Sequence, residues 1–175
     1  MALPKLNTPT YELEVPSTDE KIKYRPFLVK EEKILMIAME SKDNTQIVNA
    51  VKDIVSACTF DKVDISSMPM FDVEYIFLNI RAKSVGEVSK LRVLCPDDKK
   101  TYTNVDVDLT KVNVEIGEGH TNKIELTDDT GMIMTYPTID SFTETGITSI
   151  NAENMIELIG SCVLQIYENK GEKVY

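Results

Sequence analysis

The spacing of apolar and polar residues changes twice along the chain. Over residues 1–28, Pro4, Pro9, Pro16 and Pro26 each restrict the preceding residue away from helix. Tyr11, Leu13 and Val15 alternate there with Glu12 and Glu14, as in an edge strand, which predicts an extended arm. From Glu31 the period becomes helical. Ile34, Leu35 and Ala38 form a short stripe beside Met39, and Ser41–Asn44 interrupts it with turn-favouring residues. A second helix is predicted from about Thr45, capped by Asn44, with Ile47, Val51, Ile54, Val55 and Cys58 on one face. SSMPMFDVEYIFLNIRAKSVG predicts a third, with Pro69 in its first turn and Gly86 as its stop. Phe71, Val73, Tyr75, Ile76, Phe77, Leu78 and Ile80 cover more than one side of it. Such a helix is either central in its core or shared with another chain, which would make the protein a homo-oligomer.

Beyond Gly86 the pattern turns to strands. SKLRVLC, TYTNVDVDL, KVNVEI, KIELTDD and GMIMTYP are short segments separated by turn residues, predicting an antiparallel meander. Val105, Val107 and Leu109 alternate with Asp106 and Asp108, giving it one dry and one wet face. Then Asn151 is placed to cap a last helix, with Ile150 and Met155 as a staple and Met155, Ile159, Cys162, Val163 and Ile166 as its stripe. The predicted class is α+β: an extended arm over 1–28, then one domain over 29–175. That domain has a helical part (29–86), a β-meander (87–137), and a linker with a C-terminal helix (138–175).

Composition fits this picture. With 175 residues, 42 % of them apolar, the chain is long enough to bury a core and too apolar for a purely disordered one. The net charge of −10 argues against gripping nucleic acid, which needs clustered Lys and Arg. Residues 1–50 carry seven basic and eight acidic side chains, residues 51–100 eight of each, and residues 101–175 four against thirteen. The acidity therefore belongs to the last part of the chain. No apolar run approaches a membrane span, and the opening MALPKLNTPTYELEVPS is unlike a signal peptide, so a cytosolic protein with no membrane partner is expected. Cys58, Cys95 and Cys162 suit reduced thiols better than a disulfide framework.

Candidate chemistry is sparse. The one histidine, His120, lies between Gly119 and Thr121 in an acidic loop, away from any nucleophile-like Ser or Cys, and reads as a solvated residue. Three Cys and one His could count as zinc ligands, but no C-x₂-C knuckle is present and Cys58 and Cys162 fall on apolar stripes. Asp106, Asp108, Asp128 and Asp129 lack the frame of a calcium loop, and Asp-rich turns commonly serve their own backbone. With no phosphate loop or dinucleotide fingerprint, the expectation is no catalytic residue, no metal and no cofactor.

Two stretches read as surface. KYRPFLVKEEK gathers Lys23, Tyr24, Arg25, Phe27, Lys30, Glu31, Glu32 and Lys33 around Pro26; Tyr, Phe and Arg are enriched in interface cores. The alternative is an internal anchor tying the arm to the first helix. FDVEYIFLNIRAKSVGE carries Arg81 and Lys83 near a helix C-terminus, where cations suit the dipole.

With a Cys-Thr-x-Asp element at Cys58–Asp61 between them, these stretches resemble the baseplate hub assembly proteins of T-even-type contractile-tailed phages, most closely over residues 3–92. The matching positions are Tyr24, Arg25, Pro26, Phe27, Lys30, Glu31, Glu32, Lys33, Phe71, Arg81, Lys83, Ser84, Gly86 and Glu87, carried over as fold-or-interface positions. The resemblance implies a non-enzymatic role in building the tail baseplate hub in the host cytoplasm, as assembly chaperone or hub subunit. Its partners would be other hub proteins or the tape-measure protein. CPDDKK places Asp97 and Asp98 after Cys95 where some relatives carry a second thiol, so a metal role of those relatives does not transfer. The competing readings are a small metal-dependent hydrolase using carboxylates near residues 97–129, and an acidic nucleic-acid mimic.

Overall fold

The computed structural model describes residues 8–144, 152–168 and 173–174. It is α+β with antiparallel sheets, and its contacts group the chain into two compact units. The first comprises Met1–Asp64 and Asp72–Val114, the second Ile65–Phe71 and Glu115–Tyr175, where the sequence suggested an arm followed by one domain.

In the first unit the arm is a β-hairpin, β1 (Tyr11–Glu14) with β2 (Lys21–Tyr24), in the register Tyr11↔Tyr24 and Leu13↔Ile22. Val15 and Tyr24 bury its ends. Three helices follow: α1 (Val29–Ser41), α2 (Asn44–Cys58) and α3 (Met70–Val85). Asp43, rather than Asn44, caps α2, its carboxylate accepting the Thr45 N–H at 2.9 Å. Either residue could serve chemically, and the chain path presents the earlier one. Pro69 lies just outside α3 and bridges Thr138, so the helix starts one residue beyond the predicted proline. Gly86 stops it at φ +140°, a backbone angle that side chains rarely adopt. Ile54, Val55, Cys58, Val73, Ile76 and Ile80 are essentially inaccessible, so the broadly apolar α3 is central in its core.

The predicted single meander is two separate sheets. β3 (Val88–Leu94) and β4 (Tyr102–Asp108) form a two-stranded hairpin in the first unit. KVNVEI is not a strand, because Asp108 accepts the Thr110 N–H and turns Leu109–Lys111 into a 3-10 coil. The second unit orders β5 (Lys123–Glu125), β6 (Thr130–Met134), β7 (Val163–Glu168) and β8 (Lys173–Val174) side by side. Two helices, α4 (Ile139–Glu144) and α5 (Ala152–Ser161), connect β6 to β7. The last helix therefore ends before Cys162, and Val163 and Ile166 belong to a strand instead of its stripe. The predicted cap at Asn151 and the Ile150 half of the staple lie outside the described residues.

Candidate functional site

Most motif positions meet at one corner of the first unit. The Arg25 N–H donates to the Cys58 carbonyl at 3.0 Å, tying the end of β2 to the end of α2. Its guanidinium donates to the Pro26 carbonyl and to Glu31 Oε1, both at 3.0 Å. Glu31 Oε2 accepts the Leu28 N–H at 2.7 Å, which is half of a capping box; Leu28 has no side-chain acceptor to complete it. Glu31 is 3 % exposed. Burial pushes its carboxyl up, but the hydrogen bonds from Arg25 and Leu28 outweigh burial and hold it below the usual carboxylate range.

The α3 end closes the corner. The Phe27 N–H donates to Ser84 Oγ at 2.9 Å, and that hydroxyl donates to the Ile80 carbonyl at 2.6 Å. Lys83 pairs with Glu87 and sits 5.3 Å from the centre of the Tyr11 ring, itself 5.6 Å from Tyr24. Burial raises the Tyr24 hydroxyl's pKa. Burial also pushes the Cys58 thiol up to about 11, in keeping with its place as a packed core side chain. In the Cys-Thr-x-Asp element, Thr59 Oγ1 donates to the Val55 carbonyl at 2.8 Å, and Asp61 accepts from Ser56 Oγ at 2.9 Å.

Not every motif residue joins this corner. Lys30 reaches Glu31 at 3.3 Å from an exposed position, and Glu32 and Lys33 are exposed on α1. Arg81 is half-buried on α3. Phe71 belongs to the second unit, where its ring meets Tyr136 edge-on at 4.9 Å.

Two of the carboxylates near residues 97–129, Asp98 and Asp108, serve their own turns. Asp98 accepts from the Thr101 hydroxyl and from the Lys100 and Thr101 N–H groups; the Thr101 hydroxyl leads in lowering its pKa to about 2. Asp108 does the same for Thr110. Among the described residues, no three His, Cys, Asp or Glu side chains come together as a metal site would require. His120 is exposed, yet its Nε2 lies 2.7 Å from the Tyr136 hydroxyl and the two rings stack. They line a cavity of about 390 Å³ in the second unit with Asn122, Ile124, Met134 and Leu164.

Two apolar faces are open to solvent, which the sequence pattern did not reveal. On the β3–β4 hairpin, Ser89, Leu91 and Val93 stand opposite Val107, Val105 and Thr103, a face with no charge. Leu91 is 46 % exposed, so the predicted dry side exists but is uncovered. Its other side carries Lys90 opposite Asp106, and Arg92 with its guanidinium 4.5 Å from the Tyr102 ring. On α1, Val29, Met36 and Ile37 lie exposed on the side away from buried Glu31 and Ala38. The signal for α1 was its weak division into apolar and polar sides.

Apolar faces left open to this extent mark interaction surfaces. Residues 8–175 match the family model described as T4 bacteriophage base plate protein, and the chain belongs to that family. It is a phage baseplate protein, and that membership supports a structural role. No curated protein and no solved structure matched the chain.

Proposed function

We propose that the protein acts in assembly of the baseplate hub, as chaperone or subunit, through contacts with other hub proteins or the tape-measure protein and without catalysis. Family membership supplies the setting. The observation that carries the reading is the uncharged face of the β3–β4 hairpin, open at Leu91, Val93 and Val105. An isolated two-stranded hairpin is marginal in water, so one that presents a continuous apolar face is expected to be covered in its working state. Within the motif, Tyr24, Arg25, Pro26, Phe27, Glu31, Ser84 and Gly86 hold the corner, and the exposed Lys30 and Glu32 are its partner-facing positions. Assembly takes place in the host cytoplasm and ends at the tail baseplate.

Co-expression with the phage's hub and tape-measure proteins tests this. The wild-type chain should co-purify with one of them, and Leu91→Asp with Val105→Asp should lose that partner while keeping the wild-type circular dichroism. Failure of the wild-type chain to bind any of them, with unchanged hub assembly in its absence, overturns the reading.

A further inference from the structure

The outer face of α1 has a pattern that the hub reading does not use. Val29, Lys33, Met36, Ile37 and Glu40 follow one another at offsets of four, seven, eight and eleven, which is one face of a helix. Val29 is 80 % exposed, Met36 57 % and Ile37 56 %, and Lys33 and Glu40 are exposed as well. The opposite side carries buried Glu31 and Ala38 and packs on α2.

This face is complementary to itself. Lys33 and Glu40 lie equally far, in opposite directions, from the point between Met36 and Ile37. When two copies of such a helix lie antiparallel about a twofold axis through that point, residue i meets residue j and j meets i. Met36 then packs against the partner's Ile37, and each Lys33 faces the partner's Glu40. Two opposite-charge pairs flank an apolar centre, and no like charges meet on the seam. A parallel pairing would bring Lys33 to Lys33 and Glu40 to Glu40.

We infer that α1 is a homodimerisation surface, and that its occupant is α1 of a second copy, antiparallel about an axis between Met36 and Ile37. A helix of 13 residues is only about 20 Å long, so the contact falls below the roughly 800 Å² per partner of a standard stable interface. The dimer is therefore weak, of micromolar rather than nanomolar affinity, and favoured where assembly concentrates copies. The inference stands apart from the hub reading, because it needs only the chain itself.

Sedimentation equilibrium of the full chain, from about 5 to 500 µM, spans the affinity range expected for such an interface. Wild type should pass from monomer to dimer. Lys33→Glu and Glu40→Lys should each weaken the dimer roughly tenfold or more, since each turns two attractive pairs repulsive. The double variant K33E/E40K should return close to the wild-type constant. An equimolar mixture of the two single variants should form heterodimers, because both cross-pairs are then attractive. Ile37→Asp should stay monomeric, with circular dichroism confirming that its helices are intact. A wild-type chain that is monomeric throughout overturns the inference, as does a dimer indifferent to both charge changes or one that Ile37→Asp leaves intact. Each outcome is read without any hub protein, so a failed dimer and a failed hub partnership are distinguishable.

Discussion

The two units are built on different terms. Twelve apolar residues are buried in the first, from Val15 on β1's end to Leu109 after β4, against Ile65, Ile139 and Cys162 among the described residues of the second. Charge divides the other way. The first unit holds sixteen basic and eighteen acidic side chains, and the second three basic against eleven acidic, net −8. In the first unit the buried Glu31 has its counter-charge, Arg25, close by. The second unit's surplus of carboxylates bears instead on its solubility and on long-range attraction to a basic surface.

The largest expected effect breaks this comparison on the side of the first unit. Arg25→Ala leaves Glu31 buried at the corner with the exposed Lys30 as its one counter-charge among the described residues. Removing one partner of a buried pair is costly, and with Lys30 remaining we expect a loss of about 2 to 3 kcal/mol. Hydrogen exchange should show faster exchange across α2 and α3, with β6 and β7 unchanged. Equal loss of protection in both units would show that they unfold as one.

The matching break in the second unit is Gly131→Ala. Gly131 faces Tyr167 across the β6–β7 ladder, and a Cβ there would overlap that ring and hydroxyl and come 2.8 Å from the Ile124 carbonyl. The phenol is part of a strand pair and the carbonyl is backbone, so neither moves cheaply. The expected cost is about 1 to 3 kcal/mol, confined to β5–β7 and read by the same exchange experiment. A wild-type exchange pattern would mean that the sheet is looser than its packing around Tyr167 implies.

How far these features were legible before the fold was known differs between the units for the same reason. α2 was readable from a long stripe at helical spacing, and α3 from a dense apolar run that ends at Gly86. The Val163–Ile166 segment was not. Val163 and Ile166 satisfy helical offsets from Met155 but stand three residues apart, on opposite faces of a strand, so the spacing favours a helix and only pairing of Ile166 with Met132 decides. The motif was found as residues, but which of them face inward was not. Arg25 and Glu31 look like surface charges until β2 is carried over the end of α2. α1 misled for a physical reason: its stripe of Ile34, Leu35 and Ala38 mixes faces, with Ala38 buried and Ile34 46 % exposed.

Acidity within the first unit sharpens the comparison by pH. Glu31's pKa is depressed in the fold, so its contribution to stability is present above the unfolded carboxylate range and is lost as pH falls through the folded value. Asp72, buried with Ser17 donating to both its oxygens, is the reverse. Burial raises its pKa against those hydrogen bonds, so its contribution is full at low pH and declines as pH rises through the raised value. Denaturation midpoints for α2 and α3 should respond accordingly. Asp72→Asn should flatten the loss on the rising side near and above pH 4, and Glu31→Gln the loss on the falling side below it. Identical profiles for both variants would mean that neither carboxyl controls the first unit's acid response.

The smallest effect asks what the surplus charge is for. Asp106 stands on the wet side of the hairpin opposite Lys90, while Asp128 lies in the turn between β5 and β6. Asp106→Lys alters a unit already near balance; Asp128→Lys alters one at net −8. Solvent-exposed charges are worth no more than about 1 kcal/mol each and are screened beyond roughly 10 Å at 0.1 M salt. A severalfold weaker association with a hub partner at low salt, vanishing at high salt, is therefore the most that either change should produce. If the second unit meets a basic surface, Asp128→Lys should show that loss and Asp106→Lys should not. An equal and salt-insensitive response would assign the acidity to solubility, and leave recognition of the hub partner to the uncharged face of the β3–β4 hairpin.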